Sequence, residues 1–396
     1  SPLPNLGLII IDQEENETYK NDRNPRFHTV KVAEILCKLT AVNLVIGSIT
    51  PRVETYYQAL KNNYILKKPF SKMAKPLNTI VNMNSERQIL SLPLQKEIDQ
   101  QLSQKQKILL VFNRKGEGQN LSCSDCKWIY LCSQCSLPLI PQSQEAVCFH
   151  CEKSFKIPEK CPQCRNAHLK PFGLGTKRLE KFIHDFWPQA KTLRIEQGQK
   201  INPHSNSWDI AITTSYGLKF NFPSIGLVAI IDADQGLNFP DFRTAEKNFQ
   251  IFFKFLKIGE RGIIQTHLPE SHFISALSQM NYEKFFLEEL SVRQKYSFPP
   301  FSQLIRLLIK NTDQAVAEKE SQSIFSSLNK RYGREKLLEF LGPSPTFFKK
   351  QRGKFIWQII IKIKSHQNQK LSDELKKYLQ EIGRDIIIDV DPVSLL

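Results

Sequence analysis

Eight of the nine cysteines in this 396-residue chain fall between Cys123 and Cys164. They form four Cys-x-x-Cys pairs: Cys123/Cys126, Cys132/Cys135, Cys148/Cys151 and Cys161/Cys164. One such knuckle points two thiolates at a common centre, and two knuckles build the tetrahedral four-sulfur cage that structural Zn²⁺ prefers. Eight thiolates therefore predict two zinc ions. With every ligand a protein atom, neither site keeps an open position for water, so both are structural. Disulfides fit poorly, because no secretion signal precedes the cysteines and they cluster in tight pairs. Iron–sulfur clusters use other spacings. Five residues separate the first knuckle from the second and twelve separate the second from the third. The short gap disfavours sharing a metal, whereas the longer one allows a hairpin. The spacing thus predicts one site from the second and third knuckles and another from the first and fourth. His150 reads as a spacer. Trp128, Tyr130 and Phe149 read as the small core of this module, with base stacking as the other use. Cys37 lies in a helical pattern over 27–41 and reads as buried.

Three further stretches have chemical content. The apolar run Leu8-Ile9-Ile10-Ile11 ends in Asp12-Gln13-Glu14-Glu15, the place where nucleotide-hydrolysing proteins hold Mg²⁺; a solvated loop is the plainer reading. Phe172-Gly173-Leu174-Gly175-Thr176 opens a helix whose free N–H groups suit a phosphate, or form an ordinary cap. No G-x-x-x-x-G-K-[ST] occurs in the chain. Lys349, Lys350, Arg352 and Lys354 alternate with Phe347, Phe348, Phe355 and Trp357, a mixture that suits single-stranded nucleic acid or a solvent-facing hairpin.

The elements that must position these groups follow from periodicity. Strand-like runs at 6–12, 44–49, 108–113, 210–214, 227–232 and 263–266 alternate with helical stretches such as 93–104 and 176–187. That alternation predicts a parallel sheet covered on both faces. The zinc module reads as an insertion after the strand at 108–113. From about residue 271 the pattern changes to α+β, with strands at 305–309, 358–363 and 385–390 and helices at 316–328 and 373–378. Lys plus Arg is 55 and Asp plus Glu is 39, a net charge of 55 − 39 = +16. The hydrophobic fraction of 41% excludes a disordered chain. The charge favours a polyanionic partner, although abundant Lys, Asn, Ile and Phe also fit an AT-rich genome. No apolar run approaches the roughly 20 residues of a membrane helix, and no signal peptide is evident. The chain opens almost directly on a strand, so it is expected to be a processed or truncated piece of a longer protein.

These motifs, taken in order, resemble the PriA family of bacterial replication-restart helicases (primosomal protein N′). Asp12-Gln13-Glu14-Glu15 stands where that family has DEEH. Thr18-Tyr19-Lys20 and Pro25-Arg26-Phe27-His28 follow as its Ser-Tyr-Lys and Pro-Arg-Tyr-His stretches. Gly47-Ser48-Ile49-Thr50-Pro51-Arg52 is similar to its GSATPS box, and Asn113-Arg114-Lys115-Gly116 to its NRRG phrase. The eight cysteines match in order, as do Gly173-Leu174-Gly175-Thr176, Asp232-Ala233-Asp234, and 240–246, which reads PDFRTAE. Phe298-Pro299-Pro300-Phe301, Gly342-Pro343-Ser344-Pro345 and Asp389-Val390-Asp391-Pro392 match its C-terminal domain. The resemblance implies an α/β fold: RecA-like superfamily 2 helicase lobes, an inserted two-zinc module and a C-terminal α+β domain that binds DNA. It divides the chain into a first-lobe remnant without Walker A (1–84), a second lobe (85–120 and 166–270), the zinc insertion (121–165) and the C-terminal domain (271–396).

The departures from the family pattern bear on activity. Gln13 replaces a Glu whose carboxylate would activate the attacking water, and an amide cannot take that proton. The box expected to supply the arginine finger reads instead as Lys254-Phe255-Leu256-Lys257-Ile258-Gly259-Glu260-Arg261, with Arg261 out of register. Asp12, Gln13 and Glu14 are therefore expected to be a vestigial Walker B, and binding of ATP and Mg²⁺ is in doubt. The expected function is replication restart and primosome assembly on forked or single-stranded DNA, with zinc but without helicase activity. An active 3′-to-5′ helicase with its Walker A segment elsewhere, and a zinc-ribbon RNA-binding protein, stand as alternatives. By resemblance the partners are single-stranded-DNA-binding protein and other primosome proteins. The chain is expected to be a cytoplasmic monomer with no membrane partner.

Overall fold

The computed structural model of the chain describes residues 5–68, 76–86, 88–112, 120–123, 125–126, 128–134, 139–142, 145–148, 153–166, 169–172, 176–196, 207–234, 237, 241–364, 373–382 and 386–396. The chain runs through β1 (Leu8–Asp12), β2 (Lys20–Asn21), β3 (Phe27–His28), α1 (Thr29–Thr40), β4 (Asn43–Gly47), α2 (Val53–Leu60), β5 (Leu77–Asn82), α3 (Leu92–Ser103) and β6 (Ile108–Val111). The cysteine region contributes β7 (Asn120–Cys123), β8 (Ile140–Gln142), β9 (Glu145–Val147), β10 (Ser154–Lys156) and β11 (Leu169–Phe172). Then come α4 (Thr176–Phe186), β12 (Thr192–Ile195), β13 (Ile210–Thr213), β14 (Ile225–Ile230), α5 (Thr244–Leu256), β15 (Gly259–Thr266), α6 (His272–Ser278) and α7 (Tyr282–Lys295). The last elements are β16 (Ser302–Asn311), α8 (Gln314–Tyr332), β17 (Leu338–Gln351), β18 (Lys354–Lys364), α9 (Asp373–Ile382) and β19 (Ile387–Val390).

Two compact units result. One comprises Pro69–Pro240 and Thr244–Leu287. Its centre is a six-stranded parallel sheet in the order β12-β13-β6-β14-β15-β5. The inner strands read ILLV, IAIT and IGLVAI and are buried throughout, the pattern that a sheet covered on both faces demands. Period-2 alternation sends Leu109 and Val111 into a core shared with Phe249, Phe252 and Phe255 of α5. Ile108 and Leu110 go to the opposite core, with Leu94 and Ile98 of α3 and Leu179 and Ile183 of α4. Ser91 starts α3 by accepting from Leu94 N at 3.3 Å. Truncating a ring such as Phe249 to Ala would cost about 3–5 kcal/mol. Two assignments change. Leu77–Asn82, expected with the first lobe, pairs with β15, because Leu77 to Asn82 match Arg261 to Thr266 in register. Residues 272–285, expected with the C-terminal domain, bury Phe273, Ile274, Leu277 and Phe285 in the parallel-sheet core. Inside the cysteine region, β7 and β11 pair antiparallel and β8, β9 and β10 form a three-stranded sheet.

The other unit comprises Ser1–Lys68, Asp241–Arg243 and Glu288–Leu396. β1 and β4 pair in parallel, and one face of the pair packs Ile11 and Ile9 on Val30 and Ala33 of α1. Cys37, read from sequence as buried, is half-buried, and Val32, Ile35 and Leu39 are exposed. Only one stripe of α1 meets the strands, so the remaining apolar positions stay uncovered. The second sheet is antiparallel, ordered β17-β18-β16-β19. Ile305, Leu307, Ile309, Ile359, Ile361 and Ile363 line one of its faces, under Leu328 of α8 and Leu375 and Leu379 of α9. Asp313 caps α8, accepting from Ala315 N at 2.8 Å and Val316 N at 3.2 Å. No helix among the described residues is long and apolar enough to cross a membrane.

Candidate metal centre and nucleic-acid interface

The first and fourth knuckles converge. Cys123, Cys126, Cys161 and Cys164 bring their sulfurs within 4.8 Å of one another. Cys123 Sγ lies 3.5 Å from Cys164 Sγ, and Cys126 Sγ lies 3.6 Å from Cys161 Sγ. A tetrahedral zinc with Zn–S bonds of about 2.3 Å needs sulfur edges of roughly 3.8 Å, so this donor set fits the ion. The knuckles share a turn that the spacing alone does not reveal. Cys123 N donates to Trp128 O, Cys148 N to Lys153 O and Cys161 N to Asn166 O, at 2.8–2.9 Å. Burial pushes the Cys161 thiol up, but N–H groups of Cys164 and Gln163 and the neighbouring thiols outweigh it, leaving it at about 7. Cys126 and Cys164 shift the opposite way: backbone N–H groups lower them, but burial and neighbouring thiols raise them more, Cys164 to about 12. Asn166 Nδ2 donates to Asp125 Oδ2 at 2.7 Å, lacing the two knuckles together. Of the second predicted set, Cys132 and Cys148 are buried, while Cys135 and Cys151, with Phe149 and His150, lie outside the described residues. Trp128 and Tyr130 stack on each other at 5.4 Å.

The acidic box is wired to the segment after β4. Asp12, at the end of β1, is exposed and its Oδ1 accepts from Gln13 N at 2.9 Å. Gln13 is exposed, with φ of 48°. Glu14 is fully buried; it accepts from Arg52 N at 2.6 Å and Thr55 Oγ1 at 3.1 Å. Desolvation raises its carboxyl to about 7, against the opposing pull of Arg52. Glu15 accepts from Ser48 Oγ at 2.6 Å. Nearby, Glu54 meets three guanidiniums, from Arg52, Arg243 and Arg293, and Arg293 also pairs with Glu289 at 2.8 Å. Burial pushes the Glu54 carboxyl up, but the guanidiniums hold it well below the usual range. The buried Lys20 ammonium sits 2.7 Å from both Asp389 Oδ1 and Val390 O. Two motifs from opposite ends of the sequence thus meet. In the sheet unit, Arg261 lies near the amino end of β15 and pairs with Glu97 at 3.3 Å. Residues 113–116 and 173–175 lie outside the described residues; Thr176, at the head of α4, is buried.

The face of the antiparallel sheet opposite its apolar core mixes cations with apolar residues: Leu304 and Leu308 share it with Arg306, which is buried and donates to Gln358 Oε1 at 2.8 Å, and with Lys310. Arg306 and Lys310 alternate out of that core along β16. Burial lowers the Lys310 ammonium, and Arg26, Arg306, Arg352 and Lys354 lower it further. Lys310 Nζ donates to Gln351 Oε1 at 3.2 Å. Gln351 pairs with Lys354 across a two-residue turn in which Arg352 (φ 49°) and Gly353 (φ 82°) both take positive φ; such turns match the twist of the flanking strands. Lys350 Nζ lies 4.8 Å from the centre of the Phe355 ring. Arg352 and Lys354 are exposed, as is Phe347, whereas Trp357 packs against the core.

The buried six-stranded parallel sheet fits a RecA-like fold, and the same chain carries the converging cysteines and an antiparallel α/β layer. Residues 294–393 match the family model described as the primosomal protein N C-terminal domain. By sequence the whole chain is similar to replication restart proteins PriA of several bacteria. It is 33% identical to PriA of Borreliella burgdorferi, covering 100% of this chain and 63% of that one. Against PriA of Bacillus subtilis the identity is 28%, over 100% and 53%. Against PriA of Chlamydia pneumoniae it is 30%, over 99% and 57%. The chain therefore spans a little over half the length of these relatives.

Proposed function

We propose that the chain is a DNA-binding and primosome-assembly component of replication restart that no longer turns over ATP. The relation to PriA along the whole chain carries this reading. The basic β17–β18 turn supports the DNA part. Lys310, Lys350, Arg352 and Lys354 gather there, with Arg352 and Lys354 exposed, and such a cluster is matched by closely spaced phosphates. In this reading the six-stranded sheet with its helices is the second motor lobe. Cys123, Cys126, Cys161 and Cys164 hold one structural Zn²⁺, and Cys132, Cys135, Cys148 and Cys151 hold another. Asp12, Gln13 and Glu14 are a Walker B box kept for structure. Forked or single-stranded DNA is the substrate, and single-stranded-DNA-binding protein and primosome proteins are partners.

Fluorescence anisotropy with labelled single-stranded and forked DNA across a salt series tests it. The parent should lose affinity steeply with salt. Lys350→Ala, Arg352→Ala and Lys354→Ala together should weaken binding and reduce the salt slope by about 2, at about 0.7 per lost single-strand phosphate contact. A folded triple variant with the parent's affinity and slope would move the interface elsewhere.

A further inference from the structure

The β1–β4 pair is a parallel sheet of only two strands, and only one of its faces is covered. Ile9, Ile11, Leu44 and Ile46 meet Val30 and Ala33 of α1. Period 2 turns the alternate residues to the opposite face, where Leu8 lies across from Asn43 and Ile10 across from Val45. Leu8 is 48% exposed, Ile10 66% and Val45 50%. Three large apolar side chains of two strands thus face water. Neither strand has a second ladder partner among the described residues, so the outer edges leave backbone groups open as well.

Such a pair is incomplete by its own chemistry. Parallel sheets occur almost only where helices cover both faces, and two strands fall short of the three or more that a stable sheet needs. The crossover β1–α1–β4 brings its helix to one face alone. What would complete the pair is therefore specific: at least one further parallel strand at an edge, and a helix over Leu8, Ile10 and Val45. The face carries no cation, so it offers nothing to a nucleic acid. A second copy of the chain suits it poorly. Stacking the face on itself would bury three large side chains per copy, well short of the roughly 800 Å² per partner of a standard interface. A polypeptide that extends the sheet gains ladder hydrogen bonds along an edge in addition to the apolar contact. PriA of B. burgdorferi has chain of the length required. The matched stretch is 63% of that protein and reaches into the C-terminal domain. The rest, more than a third, thus lies mostly ahead of it, enough for several βα units of about 30 residues.

We propose that the open face and edge of the β1–β4 pair dock an α/β polypeptide, the counterpart of the stretch that precedes the matched region in B. burgdorferi PriA. It adds parallel strands beside the pair and lays a helix on Leu8, Ile10 and Val45. The proposal draws on the similarity to PriA but not on DNA binding or on the state of the motor.

Co-expression of the whole chain with that B. burgdorferi stretch, carried on an affinity tag, tests it. A one-to-one complex should co-purify, and hydrogen exchange should show new protection of amides in β1 or β4 relative to the chain alone. Ile10→Lys with Val45→Lys should lower the co-purified yield at least tenfold. Leu92→Lys, at a leucine of α3 that is 59% exposed, should leave it unchanged. Ile10→Thr keeps the branched shape that strands favour and should lower the yield by a smaller factor, which keeps the test open if the double variant misfolds. No co-purification, equal yield with the parent and both β-pair variants, or protection confined to segments other than β1 and β4 would each overturn the proposal. So would self-association of the chain alone that Ile10→Thr abolishes, because a second copy would then be the occupant. DNA affinity, measured alongside, should be the same in parent and variants, which separates failure here from failure of the DNA reading.

Discussion

Glu14 and His28 place two abnormal titrations within one packed segment, and they act in opposite directions. Glu14 holds its proton up to about 7 when folded, against 4.5 ordinarily. Between those values the folded chain binds the proton and the unfolded chain does not, so stability falls as pH rises through this window. The difference is on the order of 3 kcal/mol. His28 falls from 6.5 to about 3 on folding, because burial and then Arg52 disfavour its cation. Between those values the unfolded chain binds the extra proton, so this contribution rises with pH and is lost on acidification. The two partly cancel from about 4.5 to 6.5. Urea unfolding of Glu14→Gln across pH 4–8 should show a stability that rises with pH, without the decline toward 7. A profile that overlays the parent would mean Glu14 titrates normally. The sequence offered Asp12-Gln13-Glu14-Glu15 as one acidic cluster. It could not say that Asp12 and Gln13 face water while Glu14 turns inward, because that division depends on where Arg52 and Thr55 pack.

The cysteine module shows how far spacing reaches at the level of elements. The gaps between knuckles already favoured joining the first to the fourth, and the sulfurs of Cys123, Cys126, Cys161 and Cys164 do converge. What spacing could not show was the turn that recurs at Cys123, Cys148 and Cys161, from the cysteine N–H to the carbonyl five residues on. It leaves no mark on residue type. The limits of the larger elements were also only partly legible. Leu77–Asn82 is an edge strand, half polar and with only Val81 buried, so no apolar run marks it, and only its register with β15 reveals which sheet it joins. The segment of α6 carries no sequence assignment of its own, and only Phe273 and Leu277 in the core show which sheet it covers. Metal analysis should find two zinc ions per chain in the parent and one in Cys126→Ala. Structural zinc binding is worth about 10–16 kcal/mol in small modules, so a strong chelator should melt the β7–β11 ladder before the parallel sheet. Two zinc ions retained in the variant would mean that Cys126 is not a ligand.

For the whole molecule, the decisive question is whether a motor can still run. A general base contributes about 10²–10⁴ in rate, and Gln13 cannot act as one. An arginine finger contributes about 10³–10⁵, and the one arginine in the corresponding segment, Arg261, is badly placed for the role. Ligands bind at the carboxyl ends of strands in such sheets, whereas Arg261 is the third residue of β15 and is paired with Glu97. Thr266 at the carboxyl end is five positions further on, roughly 16 Å along a strand rising about 3.3 Å per residue. On the proposed reading the two losses are independent, so correcting one is not expected to rescue the other. DNA-stimulated ATP hydrolysis should therefore stay at background in the parent and in Gln13→Glu, even on forked DNA that both bind. A coupled phosphate-release assay decides it. Turnover of about one per second or more, within the ordinary range of enzymes, would show that an arginine outside this segment serves the nucleotide and that the chain is an active helicase component. Background rates with intact, salt-sensitive DNA binding would instead leave the fold as a scaffold, in which the old acidic box survives because Glu14 and Glu15 hold the segment from Ser48 to Thr55 in place.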